Sequence, residues 1–392
     1  MTDINTWFEK EEQYGIALRR ELHANPELSG KETETSALIR RELGKMGITE
    51  ADLGLPTGVV ADIAGGKEGE GKVIAIRADI DALPVKEQTG LPFASRNDGA
   101  SHACGHDLHT AALLLAAKYL SENRDAFSGR VRLMFQPAEE IGNGAKLLIS
   151  RGVLEPHTDY VLGVHTWPDT PAGKVGVRFG TSHASSDTVR IVVRGKGGHG
   201  AHPYRCVDPV VTAGYLLTQL QSIVSRELSI NEGGVLTFGL IRGGTAPNVI
   251  PDSVELEGTL RTLTAAQRKH MQESIRRVAK SCCQAMRAEA EVTISEGMPP
   301  LENVTEVIGA VRDAAAKVLG AENVVELKAA SPGSDDFAFY LERVPGALFR
   351  MGTGNDDPST HIGLHNAKNT FDERGIAVAA RVIVQTVLDL AR

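Results

Sequence analysis

The sequence predicts an α/β protein with a largely parallel sheet and a smaller inserted α+β domain. Over the first 180 residues, short runs rich in Val and Ile alternate with helical segments, and the same pattern returns after Pro299-Pro300. Between residues 181 and 298 the order is β-α-β-β-α-β, the ferredoxin-like arrangement. We therefore expect one α/β domain formed by residues 1–180 and 299–392, interrupted by a second domain at 181–298.

The expected elements of the first domain follow from apolar periodicity and from Gly and Pro boundaries. Runs such as VIAIRADI and VRLMFQ are typical of buried strands. In chain order we expect helices at Phe8–Glu21 and Glu32–Met46, strands at Gly58–Ile63 and Val73–Asp79, a helix at His109–Leu120, a strand at Val131–Phe135, a helix at Val304–Leu319, a short helix beginning at Ser334-Asp335-Asp336, a strand at Ala347–Met351 and a helix from Phe371.

The inserted domain should contain two helices and four strands. The strands have the sequences TVRIVVRG, GVLTFGLIRG, SVELEGTLRTL and AEVTISEG, and the helices span Pro209–Arg226 and Ala265–Arg287. Such a domain has exposed edge strands that can pair across a two-fold axis, so we expect a homodimer formed through it.

Composition limits the classes of function. The 392 residues suit two domains, and 42% apolar with 23% charged residues is typical of a folded globular protein. The net charge of −8 and the lack of a basic patch oppose a nucleic-acid partner. No run approaches the roughly 20 apolar residues of a membrane helix. A polar start and four irregularly spaced cysteines predict no signal peptide and a soluble cytoplasmic protein.

Two glycine-rich segments resemble nucleotide-binding motifs without their context. Gly66–Lys72 fits the start of a P-loop, but Val73 stands where Ser or Thr should bind magnesium, and a strand follows. Gly195–Gly200 fits G-x-G-x-x-G, but His-Pro follows and the next helix begins late. We expect no nucleotide at either segment.

The segment 102–109, HACGHDLH, packs several metal-capable side chains between a strand and a helix. Cys104 and His106 flank a glycine, which lets the backbone turn so that both side chains face one point. A loop that is rich in histidine by chance is the alternative. A Cys-x-His-Asp cluster in this position favours a metal site.

Two adjacent carboxylates, Glu139 and Glu140, follow the strand VRLMF. Ligands and catalytic groups collect at strand ends in α/β sheets. We expect one carboxylate to bind a metal and the other to transfer protons. The alternative is an acidic first turn of a helix, where Glu favours the helix dipole.

His165 and His365 complete a candidate ligand set. His165 follows the apolar run YVLGV, and His365 lies in a Gly-bearing loop before the last helix. Singly, each could be a hydrogen-bonded core histidine. Together with Cys104, His106 and Glu140 they are enough for two ions that share a bridge. Asp79 and Asp81, at another strand end, are candidates to orient a ligand histidine.

Ordered motifs over nearly the whole chain identify a family resemblance. The sequence resembles the M20 metallopeptidase family, in the branch of N-acyl-amino-acid amidohydrolases that includes hippurate hydrolases, indole-acetyl-amino-acid hydrolases and N-acetyl-diaminopimelate deacetylases. The resemblance rests on LRRELHANPELSGKE, IRADIDALPV, HACGHDLHTAA, FQPAEE, GVHTWP, GKGGHGAHP, APNVIPD, GTLR, GSDDFAFY and GLHN, in family order.

The resemblance implies roles for the first-domain residues. It places the metal ligands on the same set of Cys104, His106, Glu140, His165 and His365, and the general base on Glu139. Cys104 stands where other members use a bridging carboxylate, so we expect it to bridge two divalent ions. Thiolate and imidazole favour Zn²⁺, Co²⁺ or Ni²⁺, while carboxylate and water admit Mn²⁺.

The resemblance also implies roles for the inserted domain. It would serve for dimerisation and as a lid, with His199 reaching the partner subunit's site to polarise the scissile carbonyl. Asn248 and Arg261 match positions that hold the substrate carboxylate. The alternatives are a loop histidine and a surface arginine. One departure is Asp335, where the family often has Glu.

The expected activity is metal-dependent hydrolysis of N-acyl amino acids to a carboxylic acid and a free amino acid. Water activated by the metal ions would attack the amide, with Glu139 as the base. A dipeptidase or carboxypeptidase of the same fold is the nearest alternative, and a non-enzymatic relative is another. The presence of the complete ligand set opposes the latter. The sequence does not fix the acyl group, the amino acid or the metal.

Overall fold

The computed structural model of the chain describes residues 3–229 and 232–391. The chain divides into two compact units. The first takes in the residues up to Gly180, Glu302–Ala329 and the residues from Asp336 onward, and the second comprises Thr181–Leu301 and Ala330–Asp335.

Helices occur throughout the described part of the chain. Their bounds are α1 Ile4–Ala24, α2 Thr33–Lys45, α3 His106–Glu122, α4 Gly144–Ser150, α5 Pro209–Ser222, α6 Ala265–Ala285, α7 Thr305–Leu319, α8 Ala338–Leu341 and α9 Arg374–Leu390. A π-helical turn at Ile223–Glu227 follows α5 directly.

The strands range from two to twelve residues. Their bounds are β1 Val59–Ala64, β2 Val73–Asp79, β3 Arg130–Gln136, β4 Tyr160–Pro171, β5 Val175–Val177, β6 Gly180–His183, β7 Asp187–Arg194, β8 Gly198–His199, β9 Gly234–Gly243, β10 Val249–Ile250, β11 Ser253–Thr262, β12 Glu289–Glu296, β13 Leu301–Asn303, β14 Val324–Glu326 and β15 Gly346–Gly354.

The sheet of the first unit has the strand order β1-β3-β2-β4-β15-β5-β14. The four central strands, β3, β2, β4 and β15, run parallel to one another. Antiparallel pairing occurs between β1 and β3 and between β15 and β5. The predicted α/β class with a mainly parallel sheet is therefore confirmed.

Burial on both faces explains the apolar character of these strands. Every residue of β2 after Val73 is buried, and so is every residue of β3 after Arg130. Helix α3 is buried along almost its whole length, which its Ala- and Leu-rich sequence allows. Parallel strands covered by helices on both sides read as continuous apolar runs. The carboxyl ends of β2, β3 and β4 consequently lie at one edge of the sheet.

The second unit contains an antiparallel sheet with the order β12-β7-β11-β9. In chain order its elements run β7-α5-β9-β11-α6-β12. Val189, Ile191 and Val193 of β7 are buried and pack with residues of α5 and α6 in one core cluster. This alternation, together with the strand order, confirms the ferredoxin-like prediction.

Several helix boundaries differ from the predicted ones by up to four residues, including the starts of α1 and α8. Helix α1 begins at Ile4, because the side chain of Asp3 accepts a hydrogen bond from the backbone N–H of Thr6 at 3.1 Å. The predicted short helix at Ser334 was wrong in its start, since α8 begins at Ala338. Ser331 instead forms a bridge with His183 within the second unit. The carboxylate of Asp336 is buried in the first unit.

Among the described residues, no helix combines the length and the hydropathy needed to cross a membrane.

We predict that Gly258→Ala destabilises the second unit. A bulge in the pairing of β11 with β9 brings the carbonyl oxygen of Thr237 to 2.1 Å from the position that a Cβ at Gly258 would occupy. The backbone must therefore shift, at a cost of about 1 to 3 kcal/mol. The free energy of unfolding by urea, followed by hydrogen exchange of the β11 amides, measures this.

The matched control is Gly239→Ala in the same bulge. A Cβ at Gly239 would meet no atom within 4 Å. Equal destabilisation by the two substitutions would contradict the steric explanation.

Candidate metal centre

The sheet edge of the first unit brings together all five predicted ligands and Glu139. Cys104 and His106 lie at the start of α3, and Glu139 and Glu140 follow β3. His165 belongs to β4. His365 lies in the loop before α9, and its side chain is more than half exposed. The side chains of Cys104, His106 and Glu140 are largely buried. The convergence follows from parallel strands whose carboxyl ends share one edge.

Cys104 belongs to two groups of potential ligands. The donor atoms of Cys104, His106 and His165 all lie within 4.8 Å of one another, and so do those of Cys104, Glu140 and His365. The Sγ atom of Cys104 is 3.6 Å from Nε2 of His165, and Nε2 of His365 is 3.5 Å from Oε2 of Glu140. Two three-donor groups therefore share one sulfur atom.

Unusual backbone conformations shape the loops of the site. Gly105 has a φ of 86°, and a Cβ there would lie 2.7 Å from Cγ2 of Thr166, so both conformation and space require glycine. Ala138 and His365 also have positive φ values, 55° and 62°. Non-glycine residues rarely adopt this region, and such strain clusters at functional sites. Ala138 directly precedes Glu139, so this uncommon backbone conformation lies next to the two carboxylates.

Unsatisfied buried atoms test whether a cation fits. Nδ1 of His106 is 3.2 Å from Oδ1 of Asp81, which leaves Nε2 facing the site. Among the described residues, neither Nε2 of His106 nor Oε1 of Glu140 has a hydrogen-bond partner, and the two atoms lie 3.7 Å apart. Buried polar atoms without partners are costly. Thiolate, imidazole and carboxylate donors fit divalent transition metals.

His109 supports the site rather than ligating a metal. Its Nε2 accepts a hydrogen bond from the backbone N–H of Thr166 at 2.7 Å, so Nδ1 carries the proton and donates to Asp79 at 2.5 Å. Both ring nitrogens are thereby occupied. His102 is also buried, and burial lowers its pKa to about 4, so its ring is neutral.

Burial sets the protonation of the candidate ligands. Burial, reinforced by the charge of Glu140, raises the pKa of the Cys104 thiol well above its usual value. Burial likewise raises the pKa of Glu140, against the opposing effects of His106 and His365. The thiol of Cys104 therefore keeps its proton until a cation displaces it. Metal binding through this sulfur must release the thiol proton.

Asp79 keeps its charge in the same surroundings. Burial would raise its pKa, but Arg77, His106 and His109 outweigh that effect and hold the pKa well below its usual value. Arg77 is itself fully buried and donates to Asp79 at 2.6 Å and to Asp336 at 2.8 Å. Asp336 accepts further hydrogen bonds from Gln136 and from the backbone N–H of Ala145. The sheet edge therefore rests on a buried network of alternating charges.

Glu139 lies against this network. Its carboxylate is buried, and Oε1 accepts a hydrogen bond from the backbone N–H of Asp336 at 3.3 Å. One carboxylate oxygen of Glu139 lies within 4.8 Å of the potential metal-binding atoms of His106 and Glu140. Glu139 is therefore within reach of a water molecule held by the same donors.

Sequence reasoning missed a second buried network, centred on Asp107. Arg19 of α1 donates to Asp107 at 2.8 Å, and His23 donates from Nδ1 at 2.7 Å. These two groups hold the pKa of Asp107 well below its usual range, although burial opposes them. Because Asp107 directly follows His106, these contacts fix the first turn of α3. The spacing of Arg19 and His23, one helical turn apart, was the available signal.

The other predicted site residues lie in the second unit. His199 is exposed in β8 and pairs with Val249 of β10. The backbone N–H of Gly200 donates to the carbonyl oxygen of Asn248 at 2.8 Å, so His199 and Asn248 lie on adjacent loops. Arg261, in β11, is half-buried and donates to the hydroxyl of Ser334 at 3.2 Å.

Comparison with known proteins assigns the chain to a family of hydrolases. A family model described as peptidase family M20/M25/M40 matches residues 75–389. An N-acetyl-L-cysteine deacetylase of Bacillus subtilis (strain 168) is 44% identical, covering 95% of this chain and 86% of the relative. Thermostable carboxypeptidase 2 of Saccharolobus solfataricus is 39% identical, covering 94% and 93%.

A solved structure extends this likeness to the fold. It is a dinuclear metal-binding peptidase of the M20 family from Bacillus subtilis, 38% identical, with a TM-score of 0.86 over 98% of this chain and 99% of that chain. The predicted resemblance to the M20 family is confirmed. The likeness and the donor groups around Cys104 together support a site for two divalent ions.

We predict that Asp107→Asn destabilises the protein by about 3 to 5 kcal/mol, because it removes the fully buried carboxylate that pairs with Arg19 and His23 and leaves Arg19 only its longer contact with Glu373. Urea unfolding at pH 7 measures the loss. Asp98→Asn is the control, since Asp98 is 82% exposed and its ion pair with Lys86 is a surface pair worth less than about 1 kcal/mol. Equally small effects of the two substitutions would show that Asp107 is not a structural anchor.

Proposed function

The chain belongs to peptidase family M20/M25/M40, and from this membership we propose that it hydrolyses the amide bond of N-acyl amino acids. It is a metal-dependent hydrolase of amide bonds. The proposed products are a carboxylic acid and a free amino acid. The observation that carries the proposal is the pair of three-donor groups that share Cys104 beside the buried carboxylate of Glu139.

In the proposed site, Cys104, His106, Glu140, His165 and His365 would hold two divalent ions, with Cys104 common to the two groups of three donors. When bound, such a pair of ions supplies Lewis-acid activation of the attacking water and of the amide carbonyl. The donor set accepts Zn²⁺, Mn²⁺, Co²⁺ or Ni²⁺.

Glu139 is the proposed general base. It removes a proton from the water as the water oxygen bonds to the carbonyl carbon, and it passes a proton to the amine as the C–N bond breaks. Its contact with the backbone of Asp336 fixes the position of the carboxylate. Because one group takes and then returns the proton, the cycle leaves Glu139 unchanged.

Asp81 and Asp79 are the proposed orienting groups. Asp81 accepts from Nδ1 of His106, which selects the tautomer that leaves Nε2 as a ligand. Asp79 accepts from His109, which in turn accepts from the backbone of Thr166, next to His165. Asp81 thus acts on the ligand His106 directly, whereas Asp79 acts on His165 through His109 and the backbone of Thr166.

The residues of the second unit would bind the substrate. We propose that His199 polarises the scissile carbonyl and that Asn248 and Arg261 hold the substrate carboxylate. The planar fork of an arginine pairs with both oxygens of a carboxylate, as lysine cannot. On this proposal residues 181–298 form a lid and dimerisation domain inserted into a catalytic domain of residues 1–180 and 299–392.

The surface of the second unit supports the proposed homodimer. Strand β9 is at the edge of its sheet, and its Leu240 and Ile241 are exposed. On α5, Val211 and Tyr215 are exposed opposite the face that packs on the sheet. An edge strand with exposed apolar side chains is a site for pairing with another chain.

The carboxypeptidase alternative is less well supported. The carboxypeptidase relative is 39% identical to this chain, and the deacetylase relative is 44% identical over a similar share of it. Both activities use the same catalytic groups, so the preferred substrate decides between them. A panel of N-acetyl amino acids, N-benzoyl amino acids and dipeptides separates the two.

We predict that Glu139→Gln lowers kcat on N-acyl amino acids by about 10² to 10⁴-fold, because it removes proton transfer, while the bound metal is retained. Cys104→Ala should lose metal as well as turnover. Amine release and metal content per chain measure the two effects. The control is Glu326→Gln, at an exposed position in β14. A Glu139→Gln enzyme that retains wild-type turnover contradicts the proposal, and preference for dipeptides would favour the peptidase.

We predict that Ile241→Lys converts the dimer to a monomer, since it puts a charge into an apolar contact. Ile241 is 58% exposed in the isolated chain. Sedimentation velocity gives the mass. Val304→Lys is the control, because Val304 is also an exposed apolar residue but lies in the first unit. A wild-type monomer, or a dimer that survives Ile241→Lys, would count against β9 as the interface.

A further inference from the structure

A small cavity in the second unit lies beside Arg261. Its volume is about 180 Å³. Apolar side chains form most of its wall, from Ala184, Val235, Leu263 and Pro332. The cavity is therefore suited to an apolar group that carries a negative charge at one end.

Arg261 supplies the charge at this cavity. It is the one charged side chain among the described residues that line the cavity. It donates to Ser334 at 3.2 Å and forms no ion pair with any residue in 3–229 or 232–391. A guanidinium has five N–H donors, so most remain for a ligand. A carboxylate that accepts two of them satisfies the fork.

The segment that closes the cavity returns from a distant part of the chain. Ala330 and Pro332 line the wall, and between them Ser331 donates its backbone N–H to the carbonyl oxygen of Ser182 at 2.8 Å. Ser331 also accepts from the backbone N–H of Ala184 at 3.0 Å. Backbone hydrogen bonds therefore hold this segment of the wall against residues 182–184.

We propose that this cavity binds the side chain of the substrate's amino acid and selects N-acyl derivatives of apolar amino acids up to the size of Phe. The proposal rests on the proposed function, in which Arg261 holds the carboxylate. An amino acid carries its carboxylate and its side chain on the same Cα, which matches a cation beside an apolar hollow. A cavity of about 150 Å³ holds benzene, so this one admits a phenyl, isobutyl or thioether group.

The same features disfavour other side chains. Glycine leaves the cavity unfilled and forgoes the hydrophobic gain. A lysine side chain would bring a second positive charge toward Arg261 and lose hydration in an apolar wall. A methylene that is missing from a hydrophobic pocket changes selectivity by about 10 to 200-fold.

The test measures kcat/KM for the N-acetyl derivatives of Gly, Met, Phe and Lys. We expect the wild-type enzyme to favour Met and Phe over Gly and Lys by at least about tenfold. Ala330→Leu should fill the cavity and lower the ratio of Met to Gly by at least about tenfold. Val235→Phe fills it from the partly exposed strand β9 and gives a second measurement if Ala330→Leu does not fold. Ala329→Leu is the control, because Ala329 is exposed and does not line the cavity.

The outcomes of this experiment distinguish the proposed side-chain selectivity from the proposed function. Equal kcat/KM values for Gly and Met in the wild type overturn the proposal, and so does a Met to Gly ratio that both filling variants leave unchanged. Turnover of N-acetyl amino acids without side-chain selectivity overturns this inference and leaves the proposed function standing. Absence of turnover on every N-acyl amino acid overturns both.

Discussion

The burial of Cys104 and Glu140 among histidines is the constraint on which the rest of the structure depends. Desolvation favours the protonated forms of both acids, and it holds the pKa of the His165 imidazole well below its usual value. A site of this kind cannot be satisfied from within, because Nε2 of His106 and Oε1 of Glu140 have no hydrogen-bond partner in the described chain. A cation accounts for all three observations, since it replaces the protons and supplies the missing partner.

The surrounding fold can be understood as the support for that site. Buried Arg77 and Arg19 each pair with buried aspartates that contact or adjoin the ligands. Buried ion pairs contribute little net stability, because desolvation offsets their attraction. These ion pairs instead fix the positions of Asp79 and Asp107, because each carboxylate is held by a buried arginine. The end of β2 and the first turn of α3 are thereby held in one arrangement.

Much of the site could be predicted from the sequence because its signals are local. Cys104 and His106 stand two residues apart around a glycine, and Glu139, His165 and Asp79 each follow an apolar run, so strand ends alone bring them to one edge. The partners of Asp107 could not be predicted in this way. Arg19 lies 88 residues away on a helix whose register against α3 depends on packing. The position of Ser331 beside His183 is equally non-local, and a local helix signal gave α8 the wrong start.

The division of groups between the two units has a consequence for substrate recognition. The first unit holds buried ligands whose geometry suits the attack on an amide, a group common to all N-acyl amino acids. The second unit holds a guanidinium beside an apolar cavity. In the proposed function the guanidinium binds the carboxylate, which all amino acids share, and the cavity binds the side chain, which distinguishes them. In the proposed function, the carboxylate and the side chain of the substrate are bound at neighbouring positions within the second unit. A change in the wall of the cavity should therefore alter the preference for the side chain without altering the groups that attack the amide.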